Sequence, residues 1–300
     1  MAATLLAVIV ALAVGHLAPD IATGVRQHGW FGGWLRWLNA QFPEGSFWRG
    51  RHGIALALAV PLLVVGLFQV ALREPLWGFV GVLFAVVVLF HCWGPRDLDL
   101  DVAGVLDAPD AASRRHAASR LWAHAAGARM DGPSLVEAVF RNALRRWFGV
   151  LFWFLLLGPF GAVLYRLSVL AVERDDTQLA HETAAGARAW LALLEWPVAQ
   201  LMTLGLALVG NFDSVMAAWR EDDAFALHGD LLGTAARASV RSEIAEEAAD
   251  YAESGVSAST AIIEVFGELP ELRDAMNLAW RILILWLAVI ALFVVAGWVG

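Results

Sequence analysis

Read for hydrophobic and polar positions, the chain is a series of long apolar runs set between shorter polar stretches. A helix needs roughly 20 apolar residues to cross bilayer hydrocarbon. Residues 2–18 carry no acidic or basic group except His16, and no basic stretch precedes them. They therefore read as an uncleaved span rather than a signal peptide. Runs at 54–72 and 76–93 are separated only by Arg73, Glu74 and Pro75, which predicts a helical hairpin. A fourth run covers 147–171 and a last one 280–300. Residues 190–210 are apolar too but contain Glu195 and Pro197, and a glutamate in hydrocarbon is costly. With that glutamate near one end they read as a further span, an in-plane or re-entrant segment being the alternative. The pattern predicts an all-α fold: a polytopic helical membrane protein with five to six transmembrane helices, forming one integral membrane domain over 1–300. Strand-like alternation and internal repeats are missing over any useful length.

The stretches between runs also read as helical. In residues 26–51, Trp30, Trp34, Trp37 and Leu38 fall at helical spacing with Arg36 on another face. This predicts a Trp-rich helix in the membrane interface, indoles at headgroup depth and arginines toward anionic lipid. Aromatic anchoring accounts for it, with a ligand groove as the alternative. Two helical insertions follow, at about 95–146 and 211–278. In the first, Asp131-Gly132-Pro133-Ser134 breaks the helix, and Ser134 with Glu137 forms a capping box for the next. That helix is expected to run through Arg141, Arg145 and Arg146 into the fourth run. The second insertion is alanine-rich and acidic, with breaks expected near Gly229, Gly233, Gly255 and Pro270.

Composition agrees with the membrane reading. Hydrophobic residues make up 59% of the 300 positions and charged ones 17%, with a mean hydropathy of +0.63. That exceeds the apolar surface a soluble chain of this length needs. A net charge of −8 without a basic stripe argues against a nucleic-acid partner. Cys92 is alone, which excludes an intramolecular disulfide and a cysteine-based zinc cage. All 21 basic residues are arginine, and a chain without lysine has neither a Walker A loop nor a Schiff-base amine. Most of these arginines lie in residues 26–51, 96–146 and 220–273, whereas Arg73, Arg174 and Arg188 are nearly all that the opposite loops hold. The positive-inside rule then makes the insertions cytoplasmic and both ends external, as in a bacterial inner-membrane protein.

Candidate chemistry is sparse. Asp97, Asp99 and Asp101 alternate, and an extended chain would converge their carboxylates on a Mg²⁺ ion; a solvated acidic turn is the plainer reading. His91 and Cys92 are adjacent, diverge on a helix and read as packing. Arg141 and Arg145 lie one helical turn apart and form a grip for an anion, or else snorkel to the interface. Glu195, Asn211 and Asp213 bracket the fifth run and are expected to face protein or water rather than lipid. No phosphate loop, nucleophile elbow or zinc-protease helix is present, and no metal or cofactor is identified. Gly78 and Gly81 permit close helix contact, within the chain or in a homodimer.

Residues 143–167 contain the run Leu-Phe-Trp…Leu-Gly-Pro-x-Gly-Ala…Tyr-Arg, ending on Tyr165 and Arg166. With Leu193-Leu194-Glu195-Trp196-Pro197 and the stretch 206–213, this resembles the AmpE family of inner-membrane proteins. The resemblance implies a regulatory role in β-lactamase induction and the response to cell-wall stress. Its implied partners are the bilayer and either a cell-wall fragment or a cytoplasmic protein. The same blocks are similar to the CobD-type synthases of cobalamin biosynthesis. There an acidic motif enters the span; here the matching stretch from Arg141 keeps only Asn142, and the acidic positions have become apolar or arginine. A second acidic motif is replaced by Leu167-Ser168-Val169-Leu170-Ala171. The alternative to a regulator is thus a divergent enzyme on that scaffold, acting on an anionic small molecule or cell-wall metabolite through Asp97, Asp99, Asn142, Arg145 and Tyr165. A carrier for an anionic solute is a third reading.

Overall fold

The computed structural model describes residues 8, 28–43, 45–72, 78–94, 97–122, 129–173, 179–221, 229–253 and 269–296. The expected first span at 2–18 (Val8 apart), the connection at Arg73, Glu74 and Pro75, and the Gly255 break lie outside them. Every regular element among the described residues is helical. In chain order they are α1 (Gly29–Gln41), α2 (Gly53–Ala71), α3 (Gly78–Cys92), α4 (Leu98–Leu106), α5 (Ala111–Ala118) and α6 (Gly132–Ala143). Then come α7 (Gly149–Leu157), α8 (Pro159–Glu173), α9 (His181–Val209), α10 (Phe212–Glu221), α11 (Leu231–Glu253) and α12 (Pro270–Val295). A π-helical turn, Leu144–Phe148, joins α6 to α7.

Three of these, α2, α9 and residues Pro270–Phe293 of α12, are long and apolar enough to cross a membrane. Only 22% of the most apolar window of α2 is buried, and Leu63, Leu67, Phe68 and Val70 face outward. On α12, Ile284, Leu292 and Phe293 do the same. A contiguous apolar exterior of this kind has no place in water, and the chain is a membrane protein. The segment at 190–210 lies within one helix, α9, with Pro197 inside it. The third run forms a shorter apolar helix, Phe79–Cys92.

The fourth run departs from expectation. It is not one helix, because the chain breaks at Gly158, whose φ of 69° suits glycine, and Pro159 restarts it as α8. The two arms then fold back on each other. A Cβ at Gly149 would lie 2.1 Å from the Tyr165 ring, and one at Gly161 would lie 2.0 Å from the Trp153 carbonyl oxygen. In a straight helix Gly149 and Tyr165 would be about 24 Å apart. At that rise α8 is about 22 Å long and α7 shorter still, each less than the ~30 Å of hydrocarbon. Residues 147–171 therefore form a helical hairpin and not a single crossing.

The chain divides into two compact units. Unit 1 comprises Met1–Arg96, Arg145–Glu195 and Ile290–Gly300; unit 2 comprises Asp97–Leu144 and Trp196–Val289. In unit 1, α8 packs against α2, α3 and α7. Helix α1 buries Phe31, Leu35 and Leu38 and leaves Trp30 and Trp37 exposed, so Leu38 parts from the tryptophans with which its spacing grouped it. Glycine allows two close approaches here: a Cβ at Gly186 would sit 1.8 Å from the Arg51 carbonyl oxygen, and one at Gly53 would sit 1.9 Å from that of Trp48. In unit 2, α11 packs on α6 and α10, and α4 packs on α5 and α6. Both segments expected as insertions contribute to this unit.

Local signals were partly misassigned. Helix α6 begins at Gly132, with Pro133 in its first turn and Asp131 as the cap, accepting from the Ser134 N–H at 3.1 Å. Ser134 is thus inside the helix, and Glu137 pairs with Arg141 and Arg237 rather than closing a capping box. Gly233 lies in the first turn of α11 and does not break it.

Candidate functional site

The most heavily built polar site in unit 1 grows from the π turn. Such a turn carries one residue more than the α-helical repeat and rotates its side chains out of register with the helix. The widened backbone presents the Arg146 carbonyl to the Gly94 N–H at 3.3 Å, tying the turn to the end of α3. Arg145 points instead toward α9. Its Nε donates to Glu195 Oε1 at 2.7 Å and its Nη2 approaches Glu195 Oε2 at 3.5 Å. Its Nη1 donates to Glu173 Oε1, at the end of α8, at 3.3 Å. The side-on fork of one guanidinium thus holds a carboxylate, and the remaining nitrogen holds a second. Beside it, Trp153 Nε1 donates to the Leu194 carbonyl at 3.1 Å. Arg145 and Glu195 are one-fifth exposed or less, a depth at which an unpaired charge is costly.

Gln69 completes the hairpin. A break in mid-helix leaves backbone groups without partners, and hydrocarbon offers no water to replace them. The Gln69 side chain meets two of these, accepting from Phe160 N–H at 2.8 Å and donating to the Leu157 carbonyl at 3.0 Å. Sequence reasoning passed over this residue, although an isolated amide in an otherwise apolar run was a visible signal.

Next to the hairpin lies a cavity of about 520 Å³ between α1, α2, α3 and α8. Valines from three helices line it together with Trp34, His28, His91 and Arg166, and its surface is almost wholly apolar. The His28 and His91 rings are 4.3 Å apart. Tyr165 and Arg166, neighbours in sequence, take different roles: Tyr165 is wholly buried against Gly149, whereas Arg166 borders the cavity.

Other expected site residues serve the fold. Asp97 precedes α4, while Asp99 and Asp101 lie on it, about 200° apart at 100° per residue. The three carboxylates therefore do not share a face, and the alternation that suggested a cation site is helical rather than extended. Asp99 accepts from Trp280 Nε1 at 2.7 Å. The Asn142 amide donates to the Leu121 and Ala138 carbonyls, both at 2.7 Å. Arg141 pairs with Glu137, so Arg141 and Arg145 do not grip a common anion. Asn211 caps α10 by accepting from Ser214 N–H at 2.9 Å and reaches Glu246 at 2.7 Å. Asp213 is exposed in the first turn of α10. Of the candidates, the structure brings Arg145 and Glu195 together as an ion pair and adds Glu173, which the sequence did not single out. No protein-family model, curated protein or solved structure matches the chain.

Proposed function

We propose that this chain is a regulatory membrane protein of AmpE type, acting in the bacterial inner membrane on β-lactamase induction and the response to cell-wall stress. The observation that carries the reading is the clasp of Arg145 on Glu195 and Glu173. It joins the two sequence blocks on which the AmpE resemblance rests, so that residues 143–167 and 193–213 meet through an ion pair instead of packing alone. A polar clasp between helices has discrete formed and broken arrangements, which suits a switch better than a static apolar contact. The same clasp weakens the enzyme reading. Arg145 is occupied by carboxylates of its own chain, Asn142 by backbone carbonyls and Asp99 by an indole. In this account the two insertions, whose helices pack on each other in unit 2, offer the surface for a protein partner.

The test is made in the source bacterium, with β-lactamase activity followed after a sub-inhibitory β-lactam. Deleting the gene is expected to change induction severalfold. Arg145→Gln, expressed to the normal level in the membrane, is expected to behave like the deletion. Unchanged induction in the deletion strain would overturn the regulatory reading. Normal induction with Arg145→Gln would remove the clasp from it.

A further inference from the structure

Asp274 on α12 is among the few charged side chains that unit 2 buries, 6% exposed. It lies in the second turn of α12, ahead of the last apolar run. Its Oδ2 is buried and has no hydrogen-bond partner among the described residues. The group within its reach is another acid, the Glu243 side chain of α11. Glu243 in turn accepts from Arg281 Nη1 at 3.2 Å. The two helices meet at this junction, where Gly210 fits between Ser239 of α11 and Leu278 of α12. The other charged groups nearby offer Asp274 no donor. Glu247, also on α11, adds only negative charge. Arg273 is exposed and turned about 100° away. Glu271 lies against Gly132 of α6, Asp99 of α4 holds the Trp280 indole, and residues 196–209 of α9 carry no charge.

Carboxylates are acceptors only, so two of them in contact repel until a proton enters between them. With one proton the contact becomes a charge-assisted hydrogen bond, in which the acid donates and the carboxylate accepts. A metal ion would also satisfy facing acids, but no three ligating side chains stand together among the described residues. We infer that Asp274 and Glu243 form a proton-binding site that fastens α11 to α12. Arg281 fixes Glu243 as the acceptor, and the buried Asp274 carboxyl is the donor. One proton is held while the helices are docked. Its release leaves two like charges in contact and loosens α11 from α12. The docking of α11 thereby follows proton activity on its side of the membrane. The site lies in unit 2 and does not involve the Arg145 clasp.

The experiment is amide hydrogen exchange of α11 in the full chain in nanodiscs, at mildly acidic and at alkaline pH, corrected for the intrinsic pH dependence of exchange. Wild-type α11 is expected to exchange about tenfold faster at the alkaline pH, the effect of one pK unit of lost coupling. Asp274→Asn donates to Glu243 without a proton, and in Glu243→Gln the new amide donates to Asp274. Each variant is expected to hold α11 equally at the two pH values. The infrared carbonyl band of protonated carboxyls, recorded at the acidic pH, is expected to weaken in Asp274→Asn. Equal wild-type exchange at both pH values, pH dependence kept in either variant, or an unchanged infrared band would overturn the proposal. So would fast exchange of both variants at both pH values, because amides that satisfy the contact would then fail to hold the helix. Protection restored at alkaline pH by sodium or calcium chloride would also overturn it, leaving a metal-cation site in place of a proton site.

Discussion

In hydrocarbon an unsatisfied backbone group costs several kcal/mol, and the Gly158 turn puts two of them within reach of Gln69. Gln69→Leu keeps the volume and removes both hydrogen bonds. It is expected to destabilise the solubilised protein by about 2 kcal/mol or more, read as a lower unfolding temperature in detergent. An unchanged midpoint would show that the turn does not depend on this amide. Asp131 governs a different end, the start of α6. Hydrogen bonds from the Ser134 hydroxyl and backbone hold its carboxyl below the usual carboxylate range. Because the folded pKa is the lower one, the stabilisation is full above the unfolded value near 4 and is lost as pH falls through the folded value. Asp131→Ala is therefore expected to speed amide exchange in the first turn of α6 about fivefold at pH 7 and to have no effect once the wild-type carboxyl is protonated. A pH-independent difference would contradict the capping role. Gln69 was not singled out at the start, and Asp131 was read only as part of the helix break. Gln69 hides in an apolar run, and Asp131 was overshadowed by Ser134, whose spacing to Glu137 fits a capping box equally well.

At the scale of elements, local chemistry was legible and tertiary pairing was not. The helices at α1, α2, α9 and α12 follow directly from periodicity and apolar length, because each depends on residues near in sequence. The aspartates at 97, 99 and 101 misled because a period of two was weighed over three positions, whereas the Leu-Asp-Leu-Asp-Val-Ala-Gly-Val-Leu stretch that follows Asp97 and holds the other two buries Leu98, Val102 and Val105 at helical spacing. Gly158 and Pro159 were a turn signal inside the fourth run, masked by a total apolar length that suited a crossing. The Arg145–Glu195 pair is 50 residues apart in sequence and had no local trace. Once the hairpin is in place the pair becomes a consequence of geometry, since the π turn aims Arg145 toward α9. Breaking a buried pair on one side strands the other charge, at a cost of about 3–5 kcal/mol. Glu195→Gln should accordingly cost less than Glu195→Leu, because the amide still accepts one hydrogen bond from Arg145. Thermal unfolding of the two variants orders them, and the reverse order would contradict the clasp.

At the scale of the whole molecule, the division into two units follows a change in what each buries. Unit 1 places apolar helices around the hairpin and hides few charges, apart from Arg145, Glu195 and Arg166. Unit 2 is held by ion pairs as well as packing, with Arg237 between Glu137 and Asp230 and Arg281 on Glu243. Helix α9 supplies residues to both. The regulatory reading and the clasp both rest on the doubling back at Gly158, for a straight fourth helix would carry Tyr165 and Glu173 away from Gly149 and Arg145. Gly149→Cys with Tyr165→Cys, in a Cys92→Ala background, tests this in native membranes with a short thiol-to-thiol cross-linker. The substitution at 165 removes the ring that fills the space beside Gly149, so both thiols fit. An intramolecular link between positions 149 and 165, read by mass after digestion, is the predicted result. Both thiols modified singly with no link, as expected of sites about 24 Å apart on one helix, would contradict the account.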